Sequence, residues 1–100
     1  MHTRFHVVAT IADITDFEFL LHGYLIEGPL EPGMYVRLRP QARLHTDLRI
    51  HGVELDETFA RLEGKPYYTL TVQCSDLAET EALHALRIRR EDIEIHSLPD

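Results

Sequence analysis

The chain has no tryptophan and a single cysteine, Cys74. One thiol excludes an intramolecular disulfide, so a fold of 100 residues has to rest on its apolar core. No apolar run approaches the roughly 18 residues of a membrane-spanning helix. The N-terminus lacks the apolar stretch of a signal peptide, which with the lone thiol predicts a cytoplasmic protein. Basic residues are scarce: 10 Lys and Arg stand against 17 Asp and Glu, a formal net charge of -7. Phosphate contacts dominate the affinity of nucleic-acid binders, so this balance disfavours RNA as a partner. Linkers, low-complexity tracts and internal repeats are missing too, and the length fits one domain over residues 1–100.

What the chain does have is short apolar runs punctuated by single glycines and prolines. Phe5, Val7, Ala9 and Ile11 alternate with His6, Val8, Thr10 and Ala12, predicting a strand with Phe5 to Ile11 on its buried face. Ile14-Thr15-Asp16 reads as a turn. A second strand, Glu18 to Ile26, is interrupted by Gly23, a mark of a bulge or bend. After the turns around Gly28-Pro29 and Pro32-Gly33 comes a third strand, Met34 to Arg39, with Met34, Val36 and Leu38 opposite Tyr35, Arg37 and Arg39. The fourth, Arg43 to Leu55, alternates most cleanly: Leu44, Thr46, Leu48 and Ile50 share one face, and Arg43, His45, Asp47, Arg49 and His51 the other. Gly52 breaks the alternation, which Val53 and Leu55 continue across a bulge. Residues 56–66 are polar and predict a loop. A fifth strand, Tyr67 to Cys74, carries Tyr68, Leu70, Val72 and Cys74 on its apolar face. Asp76 is placed to cap a short helix, with Glu79 completing a capping box, and Ile93 and Ile95 mark a last strand. The expected fold is all-β: a small six-stranded β-barrel with one short helix near the C-terminus.

The order Gly23-Tyr24-Leu25-Ile26-Glu27-Gly28-Pro29-Leu30-Glu31-Pro32-Gly33-Met34-Tyr35-Val36-Arg37-Leu38 resembles the β-barrel second domain of translational GTPases of the elongation factor Tu type. Ile50-His51-Gly52-Val53-Glu54 is similar to the strand that follows in that barrel, and the likeness extends over roughly Phe5 to Val72. It implies a translation-protein-like barrel. It also points to a translation-associated role, binding transfer RNA or the ribosome. Two departures stand beside it. No phosphate-cradling Gly-x-x-x-x-Gly-Lys-Ser/Thr loop occurs, so no GTPase accompanies the barrel. Where the family has small glycine-rich residues, this chain has Asp16-Phe17-Glu18.

The residues themselves give no catalytic constellation. Ser75 and Ser97 lie near turns or the terminus, Cys74 falls on an apolar strand face, and the acidic residues are scattered. No enzyme, cofactor or metal is expected. His45 and His51 lie on one strand face about 20 Å apart at roughly 3.3 Å per residue, too far for one ion. His2 and His6, also spaced to share a face, read like the other histidines as solvated surface. The distinctive feature is charge segregation. Residues 11–33 carry Asp13, Asp16, Glu18, Glu27 and Glu31 and no Lys or Arg, whereas residues 34–51 carry Arg37, Arg39, Arg43 and Arg49. A hairpin across Pro40-Gln41-Ala42 would line one outer surface with Tyr35, Arg37, Arg39, Arg43, His45 and Arg49. Arginine beside an aromatic ring suits an acidic protein surface. The competing reading is a hydrated face whose arginines pair with acids on neighbouring strands. The expected function is a non-enzymatic interaction module that binds a protein partner through this face, or a second copy of itself through a strand edge that an open barrel leaves to pair.

Overall fold

The alternation of apolar and polar residues is realised as six strands: β1 (His2–Asp13), β2 (Glu18–Glu27), β3 (Tyr35–Arg37), β4 (Asp47–Leu55), β5 (Tyr67–Gln73) and β6 (Glu91–His96). A computed structural model of the chain describes residues 2–37 and 47–97. All strand pairs are antiparallel, and they close into a barrel in the order β1-β2-β5-β4-β3-β6. Closure runs through β6, where Phe5 of β1 faces Ile93 and Val36 of β3 faces Ile95.

Side chains from every strand fill the interior. Phe5, Val7, Phe19, Leu21, Val36, Ile50, Leu70, Val72 and Ile95 are fully buried in one cluster. Each such side chain stabilises the fold by about 1.5–3 kcal/mol relative to exposure. Thr3 is the polar exception on β1; its hydroxyl donates to the Pro29 carbonyl, tying the strand to the β2–β3 connection.

Three bulges shape the barrel. In the first, β1 passes from Val7, opposite Gly23, to Ala9, opposite His22, leaving Val8 as the extra residue. One extra residue reverses the side-chain phase. Ala9 and Ile11, expected inside, therefore face out, with Ile11 61% exposed, and Ala12 packs on the core instead. Gly23 has no substitute here, because a Cβ on it would stand 1.8 Å from the His6 carbonyl oxygen. The second bulge, between Arg4 and Phe5, lies opposite Glu27 and Leu25. In the third, β4 shifts register between Ile50 and Gly52, as Gly52 suggests. Val53 returns towards the core beyond it, whereas Leu55 stays half exposed.

Two helices, not one, join the strands. α2 (Leu77–Ala85) starts as the sequence predicts. Asp76 accepts the Glu79 amide N–H at 2.8 Å, and Glu79 reaches back to the Ser75 amide at 3.2 Å. α2 packs against β1 and β2, burying Leu83 and Thr80. The Thr80 hydroxyl donates to the Asp76 carbonyl. The stretch 56–66, expected as a loop, holds α1 (Glu57–Glu63). Its start and stop signals are local: the Asp56 side chain caps the Phe59 amide at the N-terminus, and Gly64 ends the helix in the left-handed conformation at φ 67°. α1 has no buried residue, so it lacks the apolar stripe by which helices are read from sequence.

Gly23→Ala should cost at least about 2 kcal/mol in urea unfolding, because the added methyl meets backbone and cannot be relieved by a rotamer change. A loss below about 0.5 kcal/mol, the range of an ordinary surface change, would contradict this close approach.

Candidate functional site

The outer face of β3 and β4 carries part of the basic surface read from the sequence. Tyr35 lies directly opposite Arg49, and Arg37 opposite Asp47, so Tyr35, Arg37 and Arg49 share the outward side while Val36 and Leu48 point in. Arg39, Arg43 and His45 lie outside the described residues. On the other flank of β3, Tyr35 faces His96 and Arg37 faces Glu94 of β6. Glu94 thus lies beside Arg37 on β6, the arrangement that cross-strand charge pairing favours. Arg49 differs. It is exposed, and among the described residues no carboxylate lies within ion-pair distance of it.

A second organised surface lies on the outside of β1, β2 and β5. Register places His6, Tyr24 and Tyr67 in one row across the three strands, with His22 two residues from Tyr24 on β2. The rings touch in sequence: His6 to Tyr24 at 4.9 Å, Tyr24 to Tyr67 at 5.5 Å and Tyr67 to His22 at 5.5 Å between centroids. Each end is held by a carboxylate. His6 Nδ1 lies 2.7 Å from Asp92, which Arg4 also reaches at 3.1 Å. His22 Nε2 lies 3.2 Å from Asp56. Asp56 uses its other oxygen to cap α1, and Phe59 from that helix stands against both His22 and Tyr67. The Lys65 ammonium sits 4.3 Å from the Tyr24 ring centre, a cation–π distance.

This array corrects two sequence expectations. Tyr67, placed on the polar side of its strand, is 7% exposed because α1 covers it. His6 and His22 are paired and mostly covered, with side chains 22% and 21% exposed, where a solvated face was expected. The ring faces are occupied by one another and by Lys65, so the row fastens α1 to the barrel rather than offering an open stacking platform. The usable signal in the sequence was His22-x-Tyr24; the cross-strand partners depend on register, which a single strand does not reveal.

The remaining reactive groups have ordinary settings. Burial pushes the Cys74 thiol up, opposed by its hydrogen bond to Thr80 and reinforced by the charges of Glu79 and Asp76. A raised thiol is a poor nucleophile, in keeping with an inert core cysteine. The Ser75 hydroxyl donates to Glu79. Asp13, Asp16 and Glu18 bring carboxylate oxygens within 4.8 Å of one another. Asp13 there accepts the amides of Thr15 and Asp16, closing the β1–β2 turn. Beside Arg49, Gly33 stands at an outward position with no side chain. The bare position opens a cleft of about 480 Å³ lined by Pro32, Gly33, Arg49, Ile50, His51 and Gln73.

The hydrogen bond from His6 and the charges of His6 and Arg4 hold the Asp92 carboxyl below its usual range. A depressed folded-state value means the stabilisation is present above the unfolded value and fades as pH falls through the folded one. Asp92→Asn should therefore cost under about 1 kcal/mol at neutral pH, as for a surface ion pair. The difference from wild type should shrink below about pH 4 in thermal unfolding. A difference that grows on acidification would contradict the pairing. Asp56→Ala removes the α1 cap and the His22 contact together, and should cost about 1–2 kcal/mol by urea unfolding. Neither family models, nor curated proteins, nor solved structures match the chain.

Proposed function

We propose that the protein is a non-catalytic interaction module. It binds a protein partner through the outer face of β3 and β4, using Tyr35, Arg37 and Arg49, together with Arg39, Arg43 and His45 from the sequence between those strands. The observation that supports this most is the register of β3 with β4, which puts one aromatic ring and two guanidinium groups on a single outward surface. Binding hot spots are enriched in this combination, because a rigid ring supplies contact area and arginine supplies directed donors. The exposed Arg49, without a carboxylate beside it among the described residues, is the group most available to a partner.

A second reading is supported by the resemblance of residues 23–38 and 50–54 to the barrel of translational GTPases, together with the closed six-stranded barrel. It makes the same face a contact for transfer RNA or the ribosome. The net charge of -7 weighs against it, since a polyanion is repelled by the rest of the surface.

Capture of the tagged protein from native lysate, with and without ribonuclease, separates the two. The interaction reading expects a stoichiometric protein that survives ribonuclease and is lost from an Arg37→Glu, Arg49→Glu variant of unchanged circular dichroism. Retention of that protein by the variant would contradict the face. Recovery only of RNA-dependent ribosomal proteins would favour the second reading.

A further inference from the structure

We infer that the cleft over Gly33 is a carboxylate subsite. It receives an Asp or Glu side chain from an extended acidic segment of the partner, between Arg49 and His51. This deepens the reading of the β3–β4 face as an interaction surface and rests on it.

The cleft is a consequence of the backbone. Gly33 has φ +94°, a conformation that L side chains rarely adopt, so the outward position stays bare. Its floor is fixed by two backbone hydrogen bonds: the Gly33 N–H donates to Ile50 at 2.8 Å, and the Ile50 N–H donates to Met34 at 2.7 Å. Arg49 leans over this gap, its Nη2 4.0 Å from where a Cβ on Gly33 would stand. His51, two residues along β4 and exposed, also lines the cleft, at the bulge between Ile50 and Gly52. Gln73 supplies a wall whose amide is already committed to the carbonyls of Asp16 and Phe17, so it is held in place.

The chemistry selects the ligand. Among the described residues neither Arg49 nor His51 has a carboxylate partner within the protein. The planar guanidinium offers parallel donors that match a carboxylate in bidentate fashion. The imidazole of His51 beside it offers a further N–H donor. A short acidic peptide can set one carboxylate on this local positive spot without laying the length of a nucleic acid against the acidic remainder of the chain.

The test uses a fluorescein-labelled hexaglutamate peptide and fluorescence anisotropy at low salt, with the whole chain. Saturable binding is expected, weakened at least about tenfold by Arg49→Gln and less by His51→Gln. The Gly33 and Arg49 amide resonances should shift on titration. Both substitutions are at exposed positions, and unchanged thermal unfolding confirms that any loss is local. Absence of hexaglutamate binding, or binding by Arg49→Gln equal to wild type, would overturn the subsite. If hexaglutamate fails while the Arg37→Glu, Arg49→Glu variant still loses a captured protein, the face stands and the subsite falls. If that variant keeps the captured protein, the face reading itself fails.

Discussion

The approach of β2 to β1 at Gly23 sets the rest of the arrangement. A Cβ at that position would collide with the His6 carbonyl, so the two backbones meet there only because the residue is glycine. Immediately beyond, Val8 is left over as a bulge, and every later side chain of β1 changes face. Phe5 and Val7 fill the core before this point, and Ala12 does so after it. The same register fixes His6 opposite Tyr24, and through β5 brings Tyr67 into line.

The barrel therefore presents two outer surfaces of different kind. On β1, β2 and β5 the histidine and tyrosine rings cover one another, and two aspartates hold the ends. Its polar groups are spent internally, chiefly on fastening α1, a helix with no buried residue of its own. On β4, Arg49 has no carboxylate within ion-pair distance among the described residues. Arg49 stands over a gap created by a glycine whose backbone conformation excludes other residues. Fully satisfied polar groups rigidify a fold, whereas unsatisfied exposed cations are available to a ligand. That contrast supports the proposal that the second surface receives a partner.

Much of the barrel was legible because strand alternation is a short-range signal. Leu70, Val72 and Cys74 on β5, and Leu48 and Ile50 on β4, are buried as their spacing requires. The bulge at Gly52 and the capping pair Asp76 and Glu79 also follow from local chemistry. Misreadings arose where the deciding interaction was distant. Nothing in Val7-Val8-Ala9 announces a bulge; it is imposed by Gly23 on another strand. α1 was hidden because its fastening depends on His22 and Tyr67, which belong to β2 and β5. Of the basic face, the shared outward side of Tyr35, Arg37 and Arg49 was visible as period two. The acidic neighbour of Arg37 on β6 and the cleft at Gly33 depend on pairing and a turn geometry that period two does not carry.

Since the outward and inward sets of β1 follow from its register with β2, the most direct measurement is of that register in solution. Cross-strand nuclear Overhauser contacts on uniformly labelled protein read it residue by residue. The account predicts that Val7 contacts Gly23 and that His22 contacts Ala9, with Val8 skipped. Contact of His22 with Val8 instead, and of Leu21 with Ala9, would mean a continuous ladder. Ala9 and Ile11 would then turn inward, and the assignment of the outer face of β1 beyond Val7 would fail.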